Sequence, residues 1–92
     1  MNFEFRHLRY FLVLAEELHY GRAAQRLAIS QPPLSVNIQQ LEAAVGARLL
    51  DRDSKGVRLT PAGAAFRERA RALLDGAEEA GALAREVESG ER

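Results

Sequence analysis

The chain has no cysteine and no tryptophan, one methionine and three prolines. Without thiols, disulfides, thiolate zinc sites and a cysteine nucleophile are excluded together, and the chain fits a reducing, cytoplasmic compartment. No apolar run is long enough to span a bilayer and no signal-peptide pattern precedes the first expected helix, so no membrane partner is expected. An excess of charge is absent too, since 13 Lys and Arg balance 13 Asp and Glu. A uniformly basic surface is thereby excluded, yet the charge is unevenly spread. Residues 1–60 hold eight basic against six acidic side chains, and residues 61–92 hold five against seven. A weakly basic head can meet phosphates while an acidic tail stays off a duplex.

What is present suits one domain: 92 residues that are 47% apolar build a single modest core. No internal repeat, low-complexity run or flexible linker divides it. Leu8, Phe11, Leu12 and Ala15 recur at helical spacing, with Leu18 at the end of the stripe, which predicts a first helix over Phe5 to Glu17. His19, Tyr20 and Gly21 interrupt it. A short second helix from Arg22 to Ala28 buries Ala23, Ala24 and Leu27, with Gly21 as its cap.

Residues 30–42 carry the strongest signal. Ser30 is placed to cap a third helix, and Pro32 and Pro33 fall in its first turn, where a missing N–H costs no hydrogen bond. Leu34, Ile38, Leu41 and Val45 turn one face inward, while Ser35, Val36, Gln39, Gln40 and Ala43 point away. Val36 lies about 200° round the helix from Leu34 on a step of 100° per residue, which favours exposure over burial. No acidic residue lies on the outward face before Ala43, so this face can enter a major groove, where Gln and Ser bond base edges. The helix stops at Gly46, suited to a left-handed terminal residue.

Leu49-Leu50-Asp51-Arg52 and Val57-Arg58-Leu59-Thr60 flank the polar stretch Asp53 to Gly56, the pattern of a short hairpin. A basic hairpin with Lys55 at its tip and Arg52 and Arg58 beside it, next to a helix-turn-helix, is a wing. Thr60-Pro61 then opens a long last helix. In it Phe66, Ala70, Leu73, Ala77, Ala80, Ala84 and Val87 repeat at alternating spacings of four and three. So small a head cannot cover the whole seam, so a second chain is expected on it, the competing reading being that it folds back on its own head. Gly76 and Gly81 weaken this helix by about 1 kcal/mol each relative to Ala, which makes partner packing more necessary.

Catalysis finds no support. Ser30, Ser35 and Ser54 lack a nucleophile elbow or an evident base, and no glycine loop cradles a phosphate. His7 and His19 stand twelve apart with no carboxylate cluster, so neither a metal nor another cofactor is expected and both histidines read as structural.

Five ordered blocks now stand together: Arg6-His7-Leu8-Arg9-Tyr10-Phe11; Ala23-Ala24 through Leu27; Ser30-Gln31-Pro32-Pro33-Leu34-Ser35 with Ile38, Leu41-Glu42 and Gly46; Leu49-Leu50-Asp51-Arg52; and Leu59-Thr60-Pro61-Ala62-Gly63. In these the chain resembles, over essentially its whole length, the N-terminal DNA-binding domain of a LysR-type transcriptional regulator. The resemblance implies a mainly α fold: a winged helix-turn-helix head over residues 1–60, with three helices and a short β-hairpin wing, then a linker and dimerisation helix over 61–92. It implies a homodimer reading an interrupted inverted repeat in promoter DNA, and a tetramer in the full-length protein. Relatives continue into an effector-binding domain of periplasmic-binding-protein type, so a small-molecule inducer is expected only through a domain outside these 92 residues.

By the same resemblance, base contacts fall on Gln31, Pro32, Ser35 and Val36, and the wing residue approaching the minor groove is Lys55. Arg52, Gln39, Gln40, Arg22 and Tyr20 are further candidates for the DNA backbone or minor groove, Arg9 a weaker one, and a carboxylate of the head is the alternative partner for Arg52. Two departures stand out. Relatives commonly carry Arg or Lys where this chain has Val36, and valine can pack on a thymine methyl but cannot bond guanine, so an A·T-containing step is expected opposite it. Gly21 stands where relatives usually have a Thr or Ser that caps the second helix and touches a phosphate. A helical interaction module using the seam without DNA is the alternative function.

Overall fold

The computed structural model describes residues 2–90. In chain order the elements are α1 (Phe5–Glu17), α2 (Tyr20–Leu27), α3 (Gln31–Val45), β1 (Leu50–Asp53), β2 (Gly56–Leu59) and α4 (Pro61–Ser89). The mainly α winged helix-turn-helix with a long last helix is the architecture the sequence predicts. Leu8, Phe11 and Leu14 of α1, Ala23 and Ala24 of α2, and Leu34, Ile38 and Leu41 of α3 form the core, closed by Leu49, Leu50 and Ala70. The alanines of α2 let its backbone come close to its neighbours, as small residues at a crossing do.

Three local expectations need correction. Leu18 does not extend the buried stripe of α1: it is 39% exposed and ends the helix in the left-handed region at φ 51°. The second helix starts earlier than expected, at Tyr20, and its cap is His19, whose Nδ1 accepts from the Arg22 amide at 3.0 Å. Ser30 occupies the N-cap position of α3, but its side chain makes no capping hydrogen bond. The reason lies in the sequence itself. A capping side chain accepts from the second or third amide of the helix, and here those positions are Pro32 and Pro33, which have no N–H.

The hairpin pairs Leu50 with Leu59, Asp51 with Arg58, Arg52 with Val57 and Asp53 with Gly56. Its tip is the pair Ser54-Lys55, where the Lys55 amide donates to Asp53 Oδ1 at 2.8 Å and Gly56 adopts φ 120°, open to glycine without strain. Thr60 caps α4 as expected, accepting from the Gly63 amide at 2.9 Å, and its hydroxyl donates to the Arg48 carbonyl at 2.6 Å. Phe66 brings α4 onto the head by meeting Phe11 edge to face at 5.6 Å and Phe3 at 6.3 Å.

Gly63 marks the tightest point of that junction. A Cβ there would lie 2.0 Å from the Leu49 carbonyl oxygen. Because that oxygen belongs to backbone, Gly63→Ala is expected to pry α4 from the head and cost about 1–3 kcal/mol or more, read as a lower urea midpoint with an unchanged slope.

Candidate nucleic-acid interface

The third helix buries Leu34, Asn37, Ile38 and Leu41 and leaves a polar and small-residue face outward. Gln31, Pro32, Gln39 and Gln40 are exposed, Ser35 is half-buried, and Val36 is 49% exposed. The outward position of Val36 follows from the helical step. Its only carboxylate, Glu42, does not share that face. Glu42 Oε2 accepts from the backbone amides of Leu49 at 2.7 Å and Leu50 at 3.2 Å, at the start of the wing. This role was not legible in the sequence, because seven residues and a left-handed turn at Gly46 separate the acceptor from its first donor.

Beside the N-terminus of α3 a groove of about 380 Å³ is lined by His19, Tyr20, Gly21, Gln31, Arg52 and Val57, among others. It brings together residues from α2, α3 and the wing. The Arg52 guanidinium lies over the Tyr20 ring, 4.7 Å from its centroid. That stack, rather than a carboxylate of the head, is what holds Arg52. Burial pushes the Tyr20 hydroxyl above its ordinary pKa, partly opposed by the Arg52 charge, so at neutral pH it is a hydrogen-bond donor. Gly21 is not the cap of α2. Its missing side chain makes room: a Cβ there would meet the His19 ring at 2.9 Å and the Gln31 amide nitrogen at 3.4 Å.

Several basic side chains near the site are held by carboxylates. Arg22 donates to Glu17 Oε1 at 3.2 Å and to the Glu17 carbonyl at 3.1 Å. Arg26 bridges Glu16 at 2.8 Å and Glu17 at 3.0 Å, and Arg71 reaches Glu16 at 3.2 Å. The hydrogen bond from Arg26 is the main reason the Glu16 carboxyl sits below its ordinary pKa. Arg9 faces the same cluster, lining a groove with Glu16, Arg26 and Arg71. In the wing, Arg58 is paired with Asp53 and lowers that carboxyl's pKa. Among the described residues, no ion pair engages Arg52 or Lys55. The wing therefore presents two unpaired cations to a phosphate, Arg52 in the groove that Gln31 also lines.

The seam divides. Ala70 is fully buried and Phe66 half-buried against their own head, so the start of the seam folds back, as the competing reading had it. Ala77 is half-buried, Ala80 and Ala84 are exposed, and Leu73 and Val87 are 50% and 58% exposed. Leu83, outside the predicted seam, is 43% exposed. The exposed apolar line is thus Leu73, Gly76, Ala80, Leu83 and Val87, because docking of Phe66 and Ala70 on the head turns the Ala70–Ala77 side of the helix inward. Leu73 also closes a shallow apolar groove with Phe3, Phe5 and Leu8.

Among the described residues no group of three or more metal-ligating side chains comes together, and no helix is long and apolar enough to cross a membrane. His19 serves as a cap, and His7 lies beneath α3, 2.9 Å from Gln40 Oε1.

A family model of the bacterial regulatory helix-turn-helix proteins of the lysR family matches residues 5–64. The chain is 55% identical over 91 residues to the Escherichia coli HTH-type transcriptional regulator YnfL, covering 99% of this chain and 31% of YnfL. It therefore spans about a third of that relative's length. Its fold superposes with a TM-score of 0.93 on the BenM DNA-binding domain crystallised with catB site 1 DNA, at 41% identity, covering 98% of this chain and 97% of that one. The CbnR DNA-binding domain in its DNA complex gives 0.90 at 45% identity, covering 92% and 98%.

Glu42→Ala strands two amides at residues that are 1% and 5% exposed. It is expected to cost about 2–4 kcal/mol in chemical denaturation, with Glu42→Gln, which keeps an acceptor, costing less.

Proposed function

Because the chain belongs to the lysR family of bacterial helix-turn-helix regulators, we propose that it reads an interrupted inverted repeat in promoter DNA as a cytoplasmic homodimer. Two α3 helices enter successive major grooves on one face of the duplex, and the two wings reach flanking minor grooves. Gln31, Pro32, Ser35 and Val36 face base edges. Lys55, Arg52, Tyr20, Gln39 and Gln40 meet phosphates or the minor groove. Arg22, already committed to Glu17, contributes less. The observation that carries this reading is the turning of Glu42 away from the groove face, which leaves α3 with no charge to repel phosphate.

The second copy is assigned to the exposed line of α4, Leu73, Gly76, Ala80, Leu83 and Val87, with Phe5 at its head end. Apolar side chains this exposed along a 29-residue helix gain most from a partner that repeats the same line.

The decisive experiment titrates salt against binding to a duplex from the region upstream of the gene. Affinity is expected to fall with a log–log slope of about 0.9 per phosphate contact, and salt-independent or absent binding would refute DNA recognition. Gln31→Ala is expected to relax base preference and cost about 1–3 kcal/mol, while Lys55→Ala weakens all sequences alike. Opposite Val36, replacing each base pair in turn should reveal an A·T-containing step, and a strict guanine requirement there would contradict the thymine-methyl contact. Leu73→Asp should convert dimer to monomer by sedimentation, and an unchanged mass would rule out the α4 interface.

A further inference from the structure

Two side chains of the α1 N-terminus reach across to α3. Arg6 Nε donates to Asn37 Oδ1 at 3.1 Å, and Asn37 Nδ2 passes the chain on to the Pro33 carbonyl at 2.9 Å. One turn further along α3, His7 meets Gln40. The two links differ in what they leave over. Asn37 is 9% exposed and its amide is used at both ends, whereas Gln40 is exposed and, among the described residues, its side chain is held only by His7.

Which end is held follows from proton bookkeeping. His7 Nδ1 lies 2.9 Å from the backbone nitrogen of Glu4, which can only donate, so Nδ1 accepts and carries no proton. In a neutral imidazole the proton then sits on Nε2, which lies 2.9 Å from the Gln40 side chain. A donor there requires the amide oxygen as its partner. The Gln40 NH₂ group is thus not the end held by His7, and Gln40 lines a groove of about 540 Å³ together with Arg6, His7, Ala43, Asn2 and Glu4. Glu4, the one carboxylate in that lining, lies 3.5 Å from Arg6 NH1.

We propose that His7 is a positioning residue for duplex recognition, holding Gln40 by its oxygen so that its NH₂ donates to a phosphate oxygen on the α1 side of α3. The proposal rests on the DNA-binding reading above. It assigns Gln40 a defined role. Reading adenine takes both the oxygen and the NH₂ of a glutamine, and here the oxygen is occupied by His7. Gln40 therefore adds affinity without sequence preference, as phosphate contacts do.

The test compares wild type, Gln40→Ala, His7→Phe and the double variant on the upstream duplex and on a shuffled duplex of the same composition. Gln40→Ala is expected to weaken both duplexes by about three- to tenfold. His7→Phe should weaken them similarly in the wild-type background and by less than about twofold once Gln40 is gone. Fully additive losses, or a Gln40→Ala loss confined to the upstream duplex, would overturn the proposal. Should His7→Phe unfold, the tautomer is read in the wild-type chain from long-range proton–nitrogen NMR of the imidazole. The Nε2–H form is expected, and the Nδ1–H form would overturn the proposal. Wild type that binds neither duplex refutes the DNA reading itself. Wild type that binds, with Gln40→Ala unchanged, refutes only the positioning role.

Discussion

The carboxylate of Glu42 ties α3 to the wing, and much of the candidate interface depends on where it points. By accepting from the amides of Leu49 and Leu50 it fixes the hairpin against the C-terminal half of α3. The same two bonds take the helix's single acid off its outward face. One interaction thus serves geometry and electrostatics together. Buried amides without a partner are costly, and an unpaired carboxylate facing a duplex would be repelled by it, so the arrangement removes two penalties at once.

A similar economy governs the basic side chains. The chain is neutral overall, and several of its acids are placed where they engage neighbouring cations. Glu16 and Glu17 hold Arg22, Arg26 and Arg71 at the junction of α1, α2 and α4. Such exposed pairs add little stability each. Their larger effect is to engage the cations of that junction, while Arg52 and Lys55 of the wing stay outside any ion pair among the described residues, with Arg52 steadied by the Tyr20 ring. Charge neutrality is therefore compatible with a local basic surface, provided that the ion pairs are segregated.

The sequence made the element order readable because each element has a local cause. The periodicity of Leu34, Ile38 and Leu41, the Thr60-Pro61 start and the alternation around Asp53 to Gly56 act within a few residues, and the structure places α1, α3, the hairpin and α4 accordingly. The outward face of α3 was legible for the same reason. Where the reading failed, a local rule met a second local rule or a neighbour. Ser30 has the right chemistry for a cap, but the prolines that follow remove its donors. Gly21 resembled a cap until His19 reached the Arg22 amide first. The heptad along α4 gave the period but not the face, since docking of Phe66 and Ala70 on the head set the helix's rotation.

By itself, then, the sequence determined the helices, the turn positions, the polar outward face of α3 and the family likeness, all properties carried by neighbouring residues and their spacing. Only the tertiary structure decided which side chains remain free. Whether Arg22 is available, where Glu42 points, how His7 orients Gln40 and which apolar line of α4 stays uncovered depend on contacts between elements, and their distances are set by packing rather than by spacing along the chain.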